Sequence, residues 1–246
     1  MIRTLPVLGT PLAVTTYAEL ADYLCLLSSQ AGPFCVDFSN THIVTMRRHD
    51  PDFLALTNCM DLFVPDGMPL IWALNRQGAG LSDRVYGPTF LRECLRVSPP
   101  HIRHYFLGGS QECLDALLGK VSSLNPGLTV VGKRNGYFSK EQEADVLESI
   151  IATRPDFVWI GLGTPKQQEF INRWKPHFAK GILLAVGFAF DVNAGTKPDA
   201  PAWMQKRGLT WLYRLCSEPR RLLRRYAKWN SLFLWYKLKE RMKYEV

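Results

Sequence analysis

Carboxylates offer this chain its first chemistry. In LFVPDGMPLIWAL (Leu62–Leu74), Asp66 is the single ionisable residue, set between an apolar run and Gly67. An acid at the edge of a core-like stretch is either a turn residue or a group held for proton transfer, because desolvation raises a carboxyl pKa toward useful basicity. Asp191, in FAFDVNAG, also closes an apolar run and is open between the same two uses. Asp50-Pro51-Asp52 has the D-x-D spacing of some divalent-metal sites, yet it opens the helical pattern PDFLALTNCM, where aspartate caps a helix start. Capping is the expectation there. His42, His49, His101, His104 and His177 show no metal-ligand spacing, and no motif marks Ser110 or Cys113 as a nucleophile. No metal and no cofactor are expected.

Glycines mark where a ligand could approach. Gly108, Gly109, Gly161, Gly163 and Gly187 each follow an apolar, strand-like run. In an open α/β sheet, ligands bind beyond the carboxyl ends of the strands, and the free N–H groups of the next helix favour an anion. In GLGTPKQQ, Thr164 is placed to cap a helix, Pro165 suits its first position, and Lys166 and Gln167 fall in its first turn. Several such loops together suggest a nucleotide or sugar-nucleotide cleft. None is a full G-x-G-x-x-G or Walker loop, so nicotinamide binding and NTP hydrolysis find little support.

The elements that must carry these loops alternate in type. Strands are expected at Phe34–Phe38, Tyr105–Leu107, Leu128–Val131, Phe157–Ile160 and Ile182–Val186. Helices are expected at Pro51–Met60, Gln111–Leu124 and Lys140–Thr153. This is the pattern of an α/β, Rossmann-like doubly wound sheet, for which 246 residues provide ample core. The six cysteines lack disulfide-like clustering, MIRTLPVLGTPLAV lacks a secretory pattern, and no apolar run reaches the ~18 residues of a spanning helix. A reducing, cytosolic setting is the expectation.

Charge concentrates at the end of the chain. Ser217 to Val246 holds nine Lys/Arg against three Glu, which is +6 of the net +8. Leu222, Tyr226, Trp229, Phe233 and Tyr236 step by four, three, four and three, giving one apolar–aromatic stripe beside Arg221, Arg224, Arg225 and Lys228. Such a helix suits an anionic membrane interface; the competing reading packs it on its own domain. No nucleic-acid motif accompanies the basicity.

VPDG around Asp66, DRVYG (Asp83–Gly87), FLGGS (Phe106–Ser110), NGYF (Asn135–Phe138), GLGTPKQQ (Gly161–Gln168) and FDVNAG (Phe190–Gly195) follow one another. They lead into APAWMQKRGLTWLYRLCSEPRRLLRRY, Ala200–Tyr226. From about Asn40 to Tyr226 the chain resembles the WecG/TagA/CpsF glycosyltransferase family. The resemblance implies an inverting hexose-type transfer from a UDP-sugar to a polyprenyl-diphosphate-linked saccharide. It implies a catalytic domain over 1–197 and a basic helical, membrane-associating appendage over 198–246, acting peripherally at the cytoplasmic face. By position it makes Asp66 the general base and sets Asn40 and Arg84 near the donor sugar, with Thr41 and Gly67 beside them. Tyr137, Gln167 and Asp191 fall on the nucleotide side, with Lys166 and the loop glycines, and Arg214, Arg221 and Arg224 suit a diphosphate.

Two positions depart from the family pattern. Phe38 stands where many members have Thr, and Asp199 opens D-A-P where R-A-P is frequent. Glucose, N-acetylmannosamine and a uronic relative are therefore equally credible donors. A homo-oligomer is compatible with the sequence. The rival readings are a non-catalytic basic membrane- or polyanion-binding protein and another nucleotide-sugar enzyme such as an epimerase.

Overall fold

The computed structural model describes residues 1–244; the side chains of Arg241, Lys243 and Tyr244, the first two part of the tail's charge, lie outside the described set. The chain opens with a hairpin of β1 (Thr4–Val7) and β2 (Thr10–Ala13), then α1 (Tyr17–Ser28). Next come β3 (Gly32–Ser39), α2 (Thr41–His49), α3 (Pro51–Thr57), β4 (Leu62–Pro65), α4 (Met68–Asn75) and α5 (Gly87–Val97). The second half runs β5 (Arg103–Gly108), α6 (Gln111–Leu124), β6 (Thr129–Arg134), α7 (Glu143–Ala152), β7 (Phe157–Gly161), α8 (Lys166–Trp174) and β8 (Lys180–Ala185). It closes with α9 (Ala189–Ala194), α10 (Ala202–Lys206), α11 (Thr210–Ser217) and the long α12 (Pro219–Tyr244).

The eight strands form one sheet in the order β1-β2-β4-β3-β8-β7-β5-β6, parallel except for the β1–β2 hairpin. Strand residues alternate between two cores, as a period of two requires. Val36, Phe106, Ile182 and Leu184 pack toward α1, α5, α6 and α9. Cys35, Tyr105, Leu107, Leu183 and Ala185 pack toward α2, α4, α7 and α8, joined there by Phe233 of α12. Helices on both faces of a mostly parallel sheet make this the expected doubly wound architecture.

All five expected strands are present, as are the three expected helices: α6 has the expected bounds, while α3 and α7 are shorter than expected. Asp50 caps α3, its carboxylate accepting the N–H groups of Asp52 (3.0 Å) and Phe53 (3.2 Å). The sequence reading passed over β4 because Leu62–Leu74 is one continuous apolar run. It holds a four-residue strand and a helix, broken only at Asp66-Gly67. The six cysteines are unpaired.

Candidate functional site

A cavity of about 460 Å³ opens at the carboxyl ends of the strands. Its walls come from the turns after β3 (Asn40), β4 (Asp66), β5 (Gly109), β6 (Tyr137), β7 (Gly161, Gly163) and β8 (Gly187, Phe188), closed by Arg214, Arg221 and Arg225 from α11 and α12. Gly108 does not line it but permits its floor. It has φ +136°, and a Cβ there would fall 2.4 Å from the Gly161 carbonyl carbon. Only glycine lets the ends of β5 and β7 come this close. A smaller cavity adjoins, lined by Thr41, Gly67, Arg84 and Trp211 among others; Asn40, Asp66, Tyr86 and Arg214 face both.

Asp66 sits on that shared wall. Its N–H donates to the Ser39 carbonyl (2.8 Å), fixing the end of β4 to the end of β3. Its carboxylate accepts the Gly87 N–H at 3.1 Å. Burial raises its pKa to about 7, against the opposing pull of Arg84, the Gly87 N–H and Arg214. A carboxylate with that affinity for a proton is matched to general-base work near neutral pH.

The neighbouring side chains are held by the turns that carry them. Asn40 caps α2, its Oδ1 accepting the His42 (3.0 Å) and Ile43 (3.3 Å) N–H groups, which leaves its amide N–H groups for the cavity. Gln167 is buried and folds back so that its Oε1 accepts the Gly163 N–H at 3.2 Å. Thr164 does not cap the helix as expected. Helix α8 starts at Lys166 without a side-chain cap, after a cis Thr164–Pro165 peptide. Its next residue, Gln168, donates to Asp37 Oδ2 (2.7 Å), and Ser39 donates to Oδ1 of the same buried carboxyl (2.5 Å). This tie fixes the β3 turn to the β7 turn.

Tyr137, 80% exposed, lines the same cavity with Lys166 and Asp191. Thr196 donates to Asp191 Oδ1 at 3.2 Å.

Among the arginines the structure selects differently from the sequence. Arg214 lies over the Phe188 ring at 3.8 Å, and Arg221 pairs with Glu218 at 2.5 Å. Both line the larger cavity. Arg224 is exposed and does not line it; Arg225, one residue on, takes that place. Position along a helix turns each residue by about 100°, so a motif match can be off by one while the face is decided by packing.

Arg84 is buried and faces only the smaller cavity. Its guanidinium donates to the Asp66 carbonyl (3.3 Å), Gln205 Oε1 (3.3 Å) and Thr210 Oγ1 (3.2 Å), and lies 4.1 Å above the Tyr86 ring. Asp199 completes this latch, accepting from Tyr86 Oη (2.7 Å) and Gln205 Nε2 (3.1 Å). The sequence reading saw at Asp199 only a missing basic group. The carboxylate fastens the α10–α11 segment to the turn beside Asp66.

The apolar stripe of α12 turns inward. Leu222 and Phe233 are buried, Trp229 packs against His42 and His49, and Tyr236 Oη lies 3.0 Å from His49 Nδ1. The opposite face exposes Leu223, Leu234, Trp235, Leu238 and Met242. Periodicity found one stripe, but the helix has apolar residues on both sides, and the interleaved second set escaped it. Among the described residues, no helix is long and apolar enough to cross a membrane, and no group of three or more His, Cys, Asp or Glu is arranged to hold a metal.

A doubly wound sheet carries at its carboxyl ends a cavity that holds both a carboxylate, Asp66, and the guanidiniums of Arg214, Arg221 and Arg225. The chain belongs to the glycosyl transferase WecG/TagA/CpsF family, which it matches over residues 5–246. It is similar to the N-acetylglucosaminyldiphosphoundecaprenol N-acetyl-beta-D-mannosaminyltransferase of Bacillus subtilis strain 168, at 28% identity over 73% of this chain and 70% of the relative. Proteins of the same description from Bacillus spizizenii W23 and Staphylococcus aureus MW2 are also 28% identical. They are matched over 79% and 78% of this chain and 75% and 72% of theirs.

Proposed function

We propose that this protein transfers a hexose-type sugar from a UDP-sugar to a polyprenyl-diphosphate-linked saccharide, inverting the anomeric carbon. The observation that carries the reading is Asp66, a carboxyl tuned to about 7 on the wall between two cavities, with guanidiniums closing the larger one. The larger cavity suits the nucleotide-sugar: Tyr137 offers a face to the base, and Gln167 and Asp191 offer polar partners on the nucleotide side. The acceptor hydroxyl reaches Asp66 from the smaller one. As Asp66 takes the hydroxyl proton, the oxygen bonds to the anomeric carbon, and the carbon–phosphate oxygen bond breaks with its electron pair leaving on UDP. Arg214 and Arg221 take up the charge that develops on the diphosphate. Asn40 steadies the sugar between base and leaving group.

The relatives' names specify an N-acetylmannosaminyl group and an N-acetylglucosaminyl-diphosphoundecaprenol acceptor. For this chain the acceptor class carries over more readily than the donor. Phe38 lines the donor cavity as a hydrocarbon ring packed on Phe90 (centroids 5.2 Å apart), with no hydroxyl for a sugar substituent. The donor is accordingly any of glucose, N-acetylmannosamine or a uronic relative. Residues 1–197 serve as the catalytic domain and 198–246 as the appendage. The outer face of α12, with Leu234, Trp235 and Leu238 among Arg224, Lys228 and Lys239, lies on the cytoplasmic membrane surface where such acceptors reside.

A panel of UDP-sugars offered with a short-chain prenyl-diphosphate-linked N-acetylhexosamine, read by product mass, tests the proposal. One donor should add one hexose-type unit. No transfer from any member of the panel by folded protein with vesicles present would sink it.

A further inference from the structure

The smaller cavity has an aromatic wall to which no step of the transfer gives a task. Trp211, on the first turn of α11, lines it with Asp66, Arg84 and Thr41, and 40% of its surface is exposed. Its position is fixed by its neighbours in the chain. Thr210 is buried, and its hydroxyl accepts from Arg84 Nη2 at 3.2 Å. Gly208, at φ +71°, lets the turn before α11 lie against α4; a Cβ there would fall 3.0 Å from Trp72 Cη2 and 3.3 Å from Met68 Cβ. Tyr226 of α12 meets the indole at 77°, with ring centroids 6.0 Å apart. Among the described residues no ring lies flat on it.

A large apolar ring that is fixed in place yet left open forgoes the gain from burial until something covers it. The groups around it set the chemistry of the cover. Arg214, three residues on, shares its face of α11 and lines the same cavity, as do the side chains of Asn40 and Thr41. His42 lines it too, but its Nδ1 is already engaged by Arg225 Nη2 at 2.6 Å. Met68 and Pro69 extend the apolar surface. A flat apolar face bordered by hydroxyl, amide and guanidinium groups is the complement of a pyranose ring, which carries C–H bonds on a face and hydroxyls around its edge. A lipid chain has no use for such a border.

We propose that Trp211 is the platform for the acceptor's terminal sugar. The C–H face of that ring stacks on the indole, and a hydroxyl at its edge turns to Asp66, which lines the same cavity. This rests on the reading of the smaller cavity as the acceptor's entrance.

Steady-state transfer to a short-chain, water-soluble prenyl-diphosphate-linked N-acetylhexosamine, without vesicles, tests the assignment. Trp211→Ala and Trp211→Leu should each raise the acceptor KM about 5–50-fold, the range for losing an aromatic contact together with the apolar area it covers. The donor KM and the affinity for UDP should stay within about twofold. Trp211→Phe and Trp211→Tyr keep a flat face and should stay within about threefold of the wild type, whereas leucine keeps apolar bulk without one. Trp203→Ala removes a more exposed indole, 55%, which does not line either cavity, and should leave the acceptor KM unchanged. Melting curves check that each variant folds; if Trp211→Ala does not, Trp211→Leu carries the same expectation.

The assignment is overturned if Trp211→Leu keeps the wild-type acceptor KM, if Trp211→Phe is as damaging as Trp211→Leu, or if the loss appears equally in the donor KM. It is also overturned if Trp211→Ala lowers vesicle binding and leaves transfer to the soluble acceptor intact, which would make the ring a membrane contact. A wild-type protein that transfers no sugar to this acceptor would instead overturn the proposed function and this assignment with it.

Discussion

Replacing Asp66 with asparagine should make the protein less active and more stable, and the gain in stability should depend on pH. Burial, the largest cause, raises this carboxyl from 3.8 to about 7. Between those values the folded chain keeps a proton that the unfolded chain has released. Stability therefore falls as pH rises through that window, and the loss is complete above about pH 7. At about 1.36 kcal/mol for each tenfold in proton affinity, the loss comes to roughly 4 kcal/mol. Asparagine has nearly the same shape and can accept the Gly87 N–H, but it never ionises, so it escapes the loss. For a chain of this length about 2–4 °C of melting temperature accompanies each kcal/mol. Asp66→Asn should then melt roughly 8–15 °C above the wild type at pH 8, with most of that gap gone at pH 4.5. Differential scanning calorimetry across pH 4.5–8 measures it, and turnover of the same preparation should fall ~10²–10⁴-fold. A gap in melting temperature that is the same at both ends of the range would refute the idea that a costly buried carboxylate is held here for use.

Three further outcomes follow from the proposed site. UDP should bind with EDTA present, because on that reading the guanidiniums lining the cavity meet the diphosphate; calorimetry showing an absolute need for magnesium or manganese would contradict this. Asp199→Asn and Tyr86→Phe, which loosen the latch on Arg84, should each lower turnover about 3–30-fold while changing UDP affinity little, in line with one to two hydrogen-bond equivalents; unchanged turnover in both would leave the latch without a catalytic role. Removing the chain after Ser217 should leave a folded sheet with a lowered melting temperature, because Leu222 and Phe233 are buried, and should abolish both vesicle binding and transfer; full transfer to a soluble acceptor would reduce the tail to an anchor.

Five of the eight strands were legible as short apolar runs, and Gly108, Gly161 and Gly187 mark the ends of β5, β7 and β8; β1, β2 and β4 were not read. Asp66 was legible for a related reason, being the one charge in thirteen residues. What stayed hidden depends on packing between distant segments. Nothing local distinguishes Arg225 from Arg224; α2 decides, through His42. The Asp199 latch joins residues 113 positions apart to Tyr86, a distance no spacing rule spans. The inward stripe on α12 was visible as a stripe, but its partner was not, because a docking face and a membrane face share the same period.

The placement of Arg221 and Arg225 also ties the cavity wall to the seating of the last helix. The sheet and Asp66 are complete before residue 186, whereas Arg221 and Arg225 follow on α12 and stand at the cavity through the packing of α12 on α2. A copy whose α12 is unseated would keep Asp66 but would lack Arg221 and Arg225 at the cavity wall. On the proposed reading, such a copy could neither hold a diphosphate firmly nor release it, so a cleft without its last helix would leave an activated sugar untouched.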